Sequence, residues 1–128
     1  MIVLDANILI RAVLGHRARY LIYTYAGRVH LITAAAAVTE AREHLSEIAA
    51  ERRLDRRRTL EALERILELI EIAPRDVYSP FGDAALERLS RRDPDDWPSL
   101  ALTMALTCPI WTEDLDFFGL GVPISKTS

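Results

Sequence analysis

The sequence predicts a single-domain α/β fold across residues 1–128, with a short central parallel sheet flanked by helices on both faces. Three observations carry this. Short apolar runs alternate with longer segments of helical spacing, the pattern of successive strand–helix–strand units. One helix-length run, "SLALTMAL" (99–106), has almost no polar face and so must be covered on all sides. Finally, 128 residues, half of them hydrophobic and 27% charged, suffice for one core, and no Gly/Pro/Ser-rich linker divides them.

In chain order, "IVL" (2–4) is a first strand, and "ANILIRAVLG" (6–15) is a helix with Gly15 as C-cap. "ARYLIYTYAG" (18–27) is a second helix, ending at Gly27. "VHLIT" (29–33) alternates as a strand, and Thr33 can cap the alanine-rich helix that runs on to about Arg52. Asp55 can cap the next helix, in which Leu60, Leu63, Leu67 and Ile70 form one apolar stripe. "IEIA" (70–73) is a strand before Pro74, and a helix covers about 83–91. The buried helix begins near Pro98. "PIW" (109–111) and "VPI" (122–124) are the last strands.

Composition excludes several classes. Cys108 is the only cysteine, which rules out intrachain disulfides and Cys-based zinc sites; it reads as a small buried apolar residue. No apolar stretch approaches the roughly 20 residues of a membrane helix, and Met1 leads into a strand instead of a basic leader, so a cytoplasmic protein is expected. The net charge of −3, from 19 acids against 16 bases, neither demands nor forbids a nucleic-acid partner. Lys126 is the sole lysine; the other bases are arginines, the better bidentate phosphate ligands.

The chemistry lies in the acids. Taken singly, each has an ordinary role. Asp5 can cap the helix at Ala6, Asp114 a turn at 115–118, and Asp95 or Asp96 the helix at Pro98, while Glu40 can be a solvated helix residue. Together they form a pattern. Asp5 and Asp114 follow presumed parallel strands, beyond whose carboxyl ends ligands bind, and Asp95 or Asp96 opens a buried helix. On the third helix, Val38, Ala41, Leu45 and Ile48 define a buried face. Glu43 then points nearly opposite and Glu40 lies on the flank, which favours Glu40 for a site. His44 shares that flank; it can orient Glu40 or line the rim, but reads more simply as a partly buried packing residue.

Two carboxylates ~6 Å apart at an effective dielectric near 20 repel by roughly 3 kcal/mol. No basic residue lies in or beside "LDAN", "DPDDW" or "TEDLD" except Arg92. A divalent cation resolves the repulsion, and oxygen-only ligands select Mg²⁺ or Mn²⁺. A carboxylate-held Mg²⁺ keeps open positions that suit in-line attack on a phosphodiester.

At these residues the chain resembles a known family. "VLDANIL" (3–9), Glu40, "DPDDWPSLALTMAL" (93–106) and "IWTEDLDF" (110–117) are similar to the acidic signature of PIN-domain ribonucleases, a group that includes the VapC toxins. The resemblance spans the whole chain in order; "TEAREH" around Glu40 is its loosest part. It implies a PIN-like fold and a divalent-metal-dependent endoribonuclease. Its catalytic metal ligands would be Asp5, Glu40, Asp96 and Asp114, with Asp116 a fifth acid, and Asn7 and Thr112 would support the first and last aspartates. Asp96 fits the family register better than Asp95. The implied partners are an RNA substrate, a cognate antitoxin protein of a type II toxin–antitoxin pair, and a second copy of the chain. "YLIYTY" (20–25) is apolar surface for a homodimer, or equally core.

Other readings fare less well. An Asp-based phosphotransferase needs a second aspartate where Asn7 stands, and a phospho-receiver needs its acceptor at mid-chain. No Gly-rich phosphate loop is present. A catalytically silent interaction module of the same fold remains the alternative, as does a nuclease with no toxin role. Arg52, Arg53, Arg56, Arg57 and Arg58 either guide RNA phosphates or form a solvated turn.

Overall fold

The structure, a computed structural model, describes residues 1–89, 93–112 and 124–125. Five parallel strands lie in the order β3-β2-β1-β4-β5: β1 Ile2–Leu4, β2 Leu31–Ala34, β3 Glu71–Ala73, β4 Ile110–Trp111 and β5 Ile124–Ser125. Between them run α1 (Ala6–Leu14), α2 (Arg17–Tyr25), α3 (Ala35–Glu51), α4 (Arg56–Leu67), α5 (Arg75–Tyr78), α6 (Gly82–Arg88) and α7 (Trp97–Leu106).

The pleat sorts these helices into two layers. Leu4, Leu31 and Trp111 point into one core, with Ile8, Leu9, Ile22, Val38, Leu45, Leu63 and Ile66 of α1 to α4. Val3, Ile32 and Ile110 point the other way, against Tyr78, Ala85, Leu100 and Leu102 of α5 to α7. Successive residues of a strand face opposite sides, so three-residue strands buried on both faces must be apolar throughout. The expected α/β fold with helices on both faces is therefore the observed one. No helix among the described residues is long and apolar enough to cross a membrane.

Every expected strand and long helix is present, with local differences. Thr33 does not cap α3. It belongs to β2, is fully buried, and its hydroxyl donates to the Leu4 carbonyl at 2.8 Å. The N-cap is Ala34, which has no side-chain acceptor, and the phenol oxygen of Tyr78 takes the Ala36 N–H at 3.2 Å. Gly15 does stand at the C-cap of α1, although with an extended φ of −125°. "YLIYTY" is divided between core and surface. Ile22 is fully buried, while Tyr20, Tyr23 and Tyr25 are exposed. Cys108 is buried as expected, and that burial pushes its thiol pKa up.

From β1 the chain adds strands first on one side, β2 and β3, and later on the other, β4 and β5. The reversal falls between β1 and β4. In open α/β sheets this switch point leaves a crevice beyond the carboxyl ends of the strands.

Candidate active site

Asp5 follows β1 at this crevice, and the parallel register that sets Leu4 beside Trp111 brings Thr112 next to it. Asp5 is only 5% exposed. Its Oδ1 accepts the Ile8 N–H at 2.9 Å and its Oδ2 accepts the Thr112 hydroxyl, a bond across 107 positions of sequence. Asp5 is thus both the helix cap and a buried carboxylate at the head of the sheet.

A cleft of about 650 Å³ opens in front of it, lined by the starts of α1, α3 and α7. Six acids share it: Asp5, Glu40, Glu43, Asp93, Asp95 and Asp96. Asn7 lines it too and is exposed. Glu40 is half-buried, and burial is the main cause that pushes its carboxyl pKa up; His44 pulls it down, while Asp95, Asp93 and Glu43 push it further up. The acids of α3 and of the turn before α7 therefore feel one another. Asp96 is half-buried and Asp95 exposed. Asp96 holds the N-cap position of α7 without capping it, whereas Asp93 caps its own turn by accepting the Asp95 N–H at 3.0 Å.

Three sequence expectations need correction. Glu43 does not point away from the cleft; residues three apart on a helix are only about 60° apart, so Glu43 shares the wall with Glu40, though more exposed. His44 is not a packing residue; it is exposed and lines the same wall. Nor are the acids without a nearby base. Arg75 lines the cleft, brought there from the carboxyl end of β3, a place the rule that found Asp5 also covers. Tyr78, Thr39 and Ser99 were likewise silent in the sequence. Asp114, Asp116 and the Phe117–Phe118 pair lie outside the described residues.

The sequence matches a family model, described as "PIN domain", over residues 3–128. The chain belongs to the PIN-domain family. No curated protein matches it. Among solved structures, a chain of the VapBC2 complex of Rickettsia felis, bound to a DNA fragment from its promoter, superposes with a TM-score of 0.80 at 14% identity, covering 100% of both chains. A chain of DNA-bound VapBC from Salmonella typhimurium gives 0.79 at 16% identity, covering 99% of this chain and 98% of that one. FitAcB from Neisseria gonorrhoeae gives 0.71 at 21%, covering 97% and 96%. At such identities the likeness is one of fold.

The donor chemistry of this PIN domain fits a hard divalent ion, because the carboxylates and Asn7 offer oxygen ligands. Among the described residues, no three His, Cys, Asp or Glu side chains are grouped tightly enough to hold an ion by themselves. The arginine group at 52–58 is remote from the cleft. Arg52 follows α3 twelve residues after Glu40, roughly 18 Å along the helix axis.

Proposed function

We propose that this PIN domain is a Mg²⁺- or Mn²⁺-dependent endoribonuclease that cuts single-stranded or looped RNA, and that it acts in the cytoplasm as the toxin of a type II toxin–antitoxin pair. The observation that supports it is the meeting of Asp5, Glu40 and Asp96, from three separate elements, in one cleft at the head of a parallel sheet. Asp5, Glu40, Asp96, Asp114 and Asp116 would hold the ion, with the first four as the catalytic set. When bound, the ion supplies Lewis-acid polarisation of the phosphodiester and a more acidic water.

The chain's own contribution is placement. Thr112 and the Ile8 N–H fix both oxygens of Asp5, which settles its rotamer before any ligand arrives. Glu40, its pKa raised by burial and by neighbouring acids, is stabilised in its charged form by an added positive charge. Asn7 stands exposed at the lip, where it can reach substrate or solvent. Two of the similar structures are VapBC complexes, and by the resemblance to VapC toxins an antitoxin protein and a second copy of the chain are the expected partners.

The test is digestion of a structured RNA panel in Mg²⁺, in Mn²⁺ and in chelator, with Asp114→Asn as control. Metal-dependent internal cuts that Asp114→Asn abolishes are the expected result. Cutting that persists in chelator, or none with either ion, overturns the reading. Growth arrest on expression, relieved by co-expressing the product of a short adjacent gene, tests the toxin role separately.

A further inference from the structure

We infer that Arg75 is a substrate-binding residue of this cleft: it takes a phosphate of the bound RNA strand flanking the one to be cut, and Trp97 holds it for that contact. The inference rests on the ribonuclease reading and extends it to how a polyanion enters an acidic cleft.

Six carboxylates line the cleft, and a nucleic acid approaching them is repelled wherever no cation intervenes. Arg75 is the only arginine or lysine among the described residues that line it. It is exposed, and among the described residues it forms no ion pair, although all six acids share its cleft. Its guanidinium carbon instead lies 5.4 Å from the centroid of the Trp97 ring. A guanidinium on an aromatic face keeps its charge and its edge N–H donors, the fork that matches a phosphate.

The aromatic shelf is itself braced. Trp97 meets Tyr78 with centroids 5.8 Å apart, and Tyr78 accepts the N–H of Ala36 in the cleft wall. Gly82 also meets the indole, where an added Cβ would lie 3.3 Å from the ring. A side chain there would crowd the shelf. Arg75 is therefore stacked beside the acids and keeps its donors for an anion from outside.

The measurement is binding of a fluorescein-labelled single-stranded RNA by anisotropy, with Ca²⁺ in place of Mg²⁺, across a salt series. Wild type is compared with Arg75→Gln and Arg75→Lys. Arg75→Gln should weaken binding about tenfold at low salt and reduce the slope of log K against log [salt] by ~0.7, the loss of one phosphate contact on a single strand. Arg75→Lys should keep the slope and lose part of the affinity, since a point charge lacks the fork. Trp97→Leu should mimic Arg75→Gln in affinity but leave the slope nearer wild type, because the charge remains. A slope unchanged in Arg75→Gln overturns the inference, as does wild-type protein that binds no RNA. The two readings separate cleanly. Cleavage with a KM indifferent to Arg75→Gln sinks the inference and leaves the nuclease; Arg75-dependent binding without cleavage in Mg²⁺ or Mn²⁺ sinks the nuclease and, with it, the placing of that phosphate beside a cut, and leaves Arg75 only as an RNA contact.

Discussion

Asp5 and Asp55 perform the same local task at two places in the chain. Each precedes a helix, and each accepts the N–H three residues on, Ile8 at 2.9 Å and Arg58 at 3.1 Å. Their surroundings differ in every other respect. Asp55 is exposed, its other oxygen 4.0 Å from the Arg58 guanidinium in water, where such a pair contributes little. Asp5 is buried at the switch point of the sheet, its second oxygen is held by Thr112, and five further acids line the cleft before it. The same capping chemistry, desolvated and fixed from a distant strand, becomes part of a candidate catalytic centre. A cap is thus diagnostic of a helix start and says nothing about function until its second oxygen is accounted for.

The largest test of this contrast is to neutralise both aspartates. Asp5→Asn should lower RNA cleavage by more than about 100-fold, beyond the usual loss from disturbing an outer partner of a metal ligand. Asp55→Asn should cleave as wild type does, because asparagine caps equally well. Equal activity in initial-rate assays of the two variants would erase the distinction. Next in size is Thr112→Val, which takes away only the hydroxyl that fixes Asp5. It should cost about 10–100-fold in cleavage. It should also cost about 1–3 kcal/mol in urea unfolding, from the loss of a hydrogen bond to a buried charged oxygen. Thr112→Ser should recover most of both. At the other site, Asp55→Ala should cost about 1 kcal/mol of stability, read as a melting point lower by ~4 °C, with cleavage unchanged.

The smallest effect concerns Glu40. Its pKa is raised in the folded protein, so the unfolded chain releases that proton first as pH rises. Stability associated with the protonated form is complete below the unfolded value and declines as pH passes through the folded one. In chelator at pH 7, Glu40→Gln should therefore melt slightly higher than wild type, and the gap should close near pH 4. Glu43→Gln, more exposed on the same wall, should keep more of the cleavage. A gap that widens on acidification would mean the acids are not in mutual repulsion.

The inner strands β1, β2 and β4 were legible because they are buried on both faces and so read as apolar runs too short to be helices. The helices were legible from their apolar stripes and the caps at Asp5 and Asp55. Asp5 itself was legible as a site residue only through its place after a strand; Thr112 came from the resemblance, and its physical role is clear only from the register of β4 beside β1. Thr33 misled because a threonine before a helix caps well in isolation, yet here the sheet claims it first. Arg75 carried only the signal of its place after β3, and its association with Trp97 and Tyr78 carried none, since that depends on how α5 and α7 pack together, which no local spacing encodes. Glu43 was set aside by judging a helix only by its buried face, whereas a cleft is wide enough to take in the flank as well.

The bond between Thr112 and Asp5 also orders events in time. During synthesis at about 5–20 residues per second, Thr112 is made roughly 5–20 s after Asp5. Until then β1 lacks its β4 neighbour and the carboxylate lacks its second donor. The nascent chain, however much of its first layer has already packed, carries an unfinished centre until Thr112 is made. A fragment ending before residue 112 is unfinished permanently.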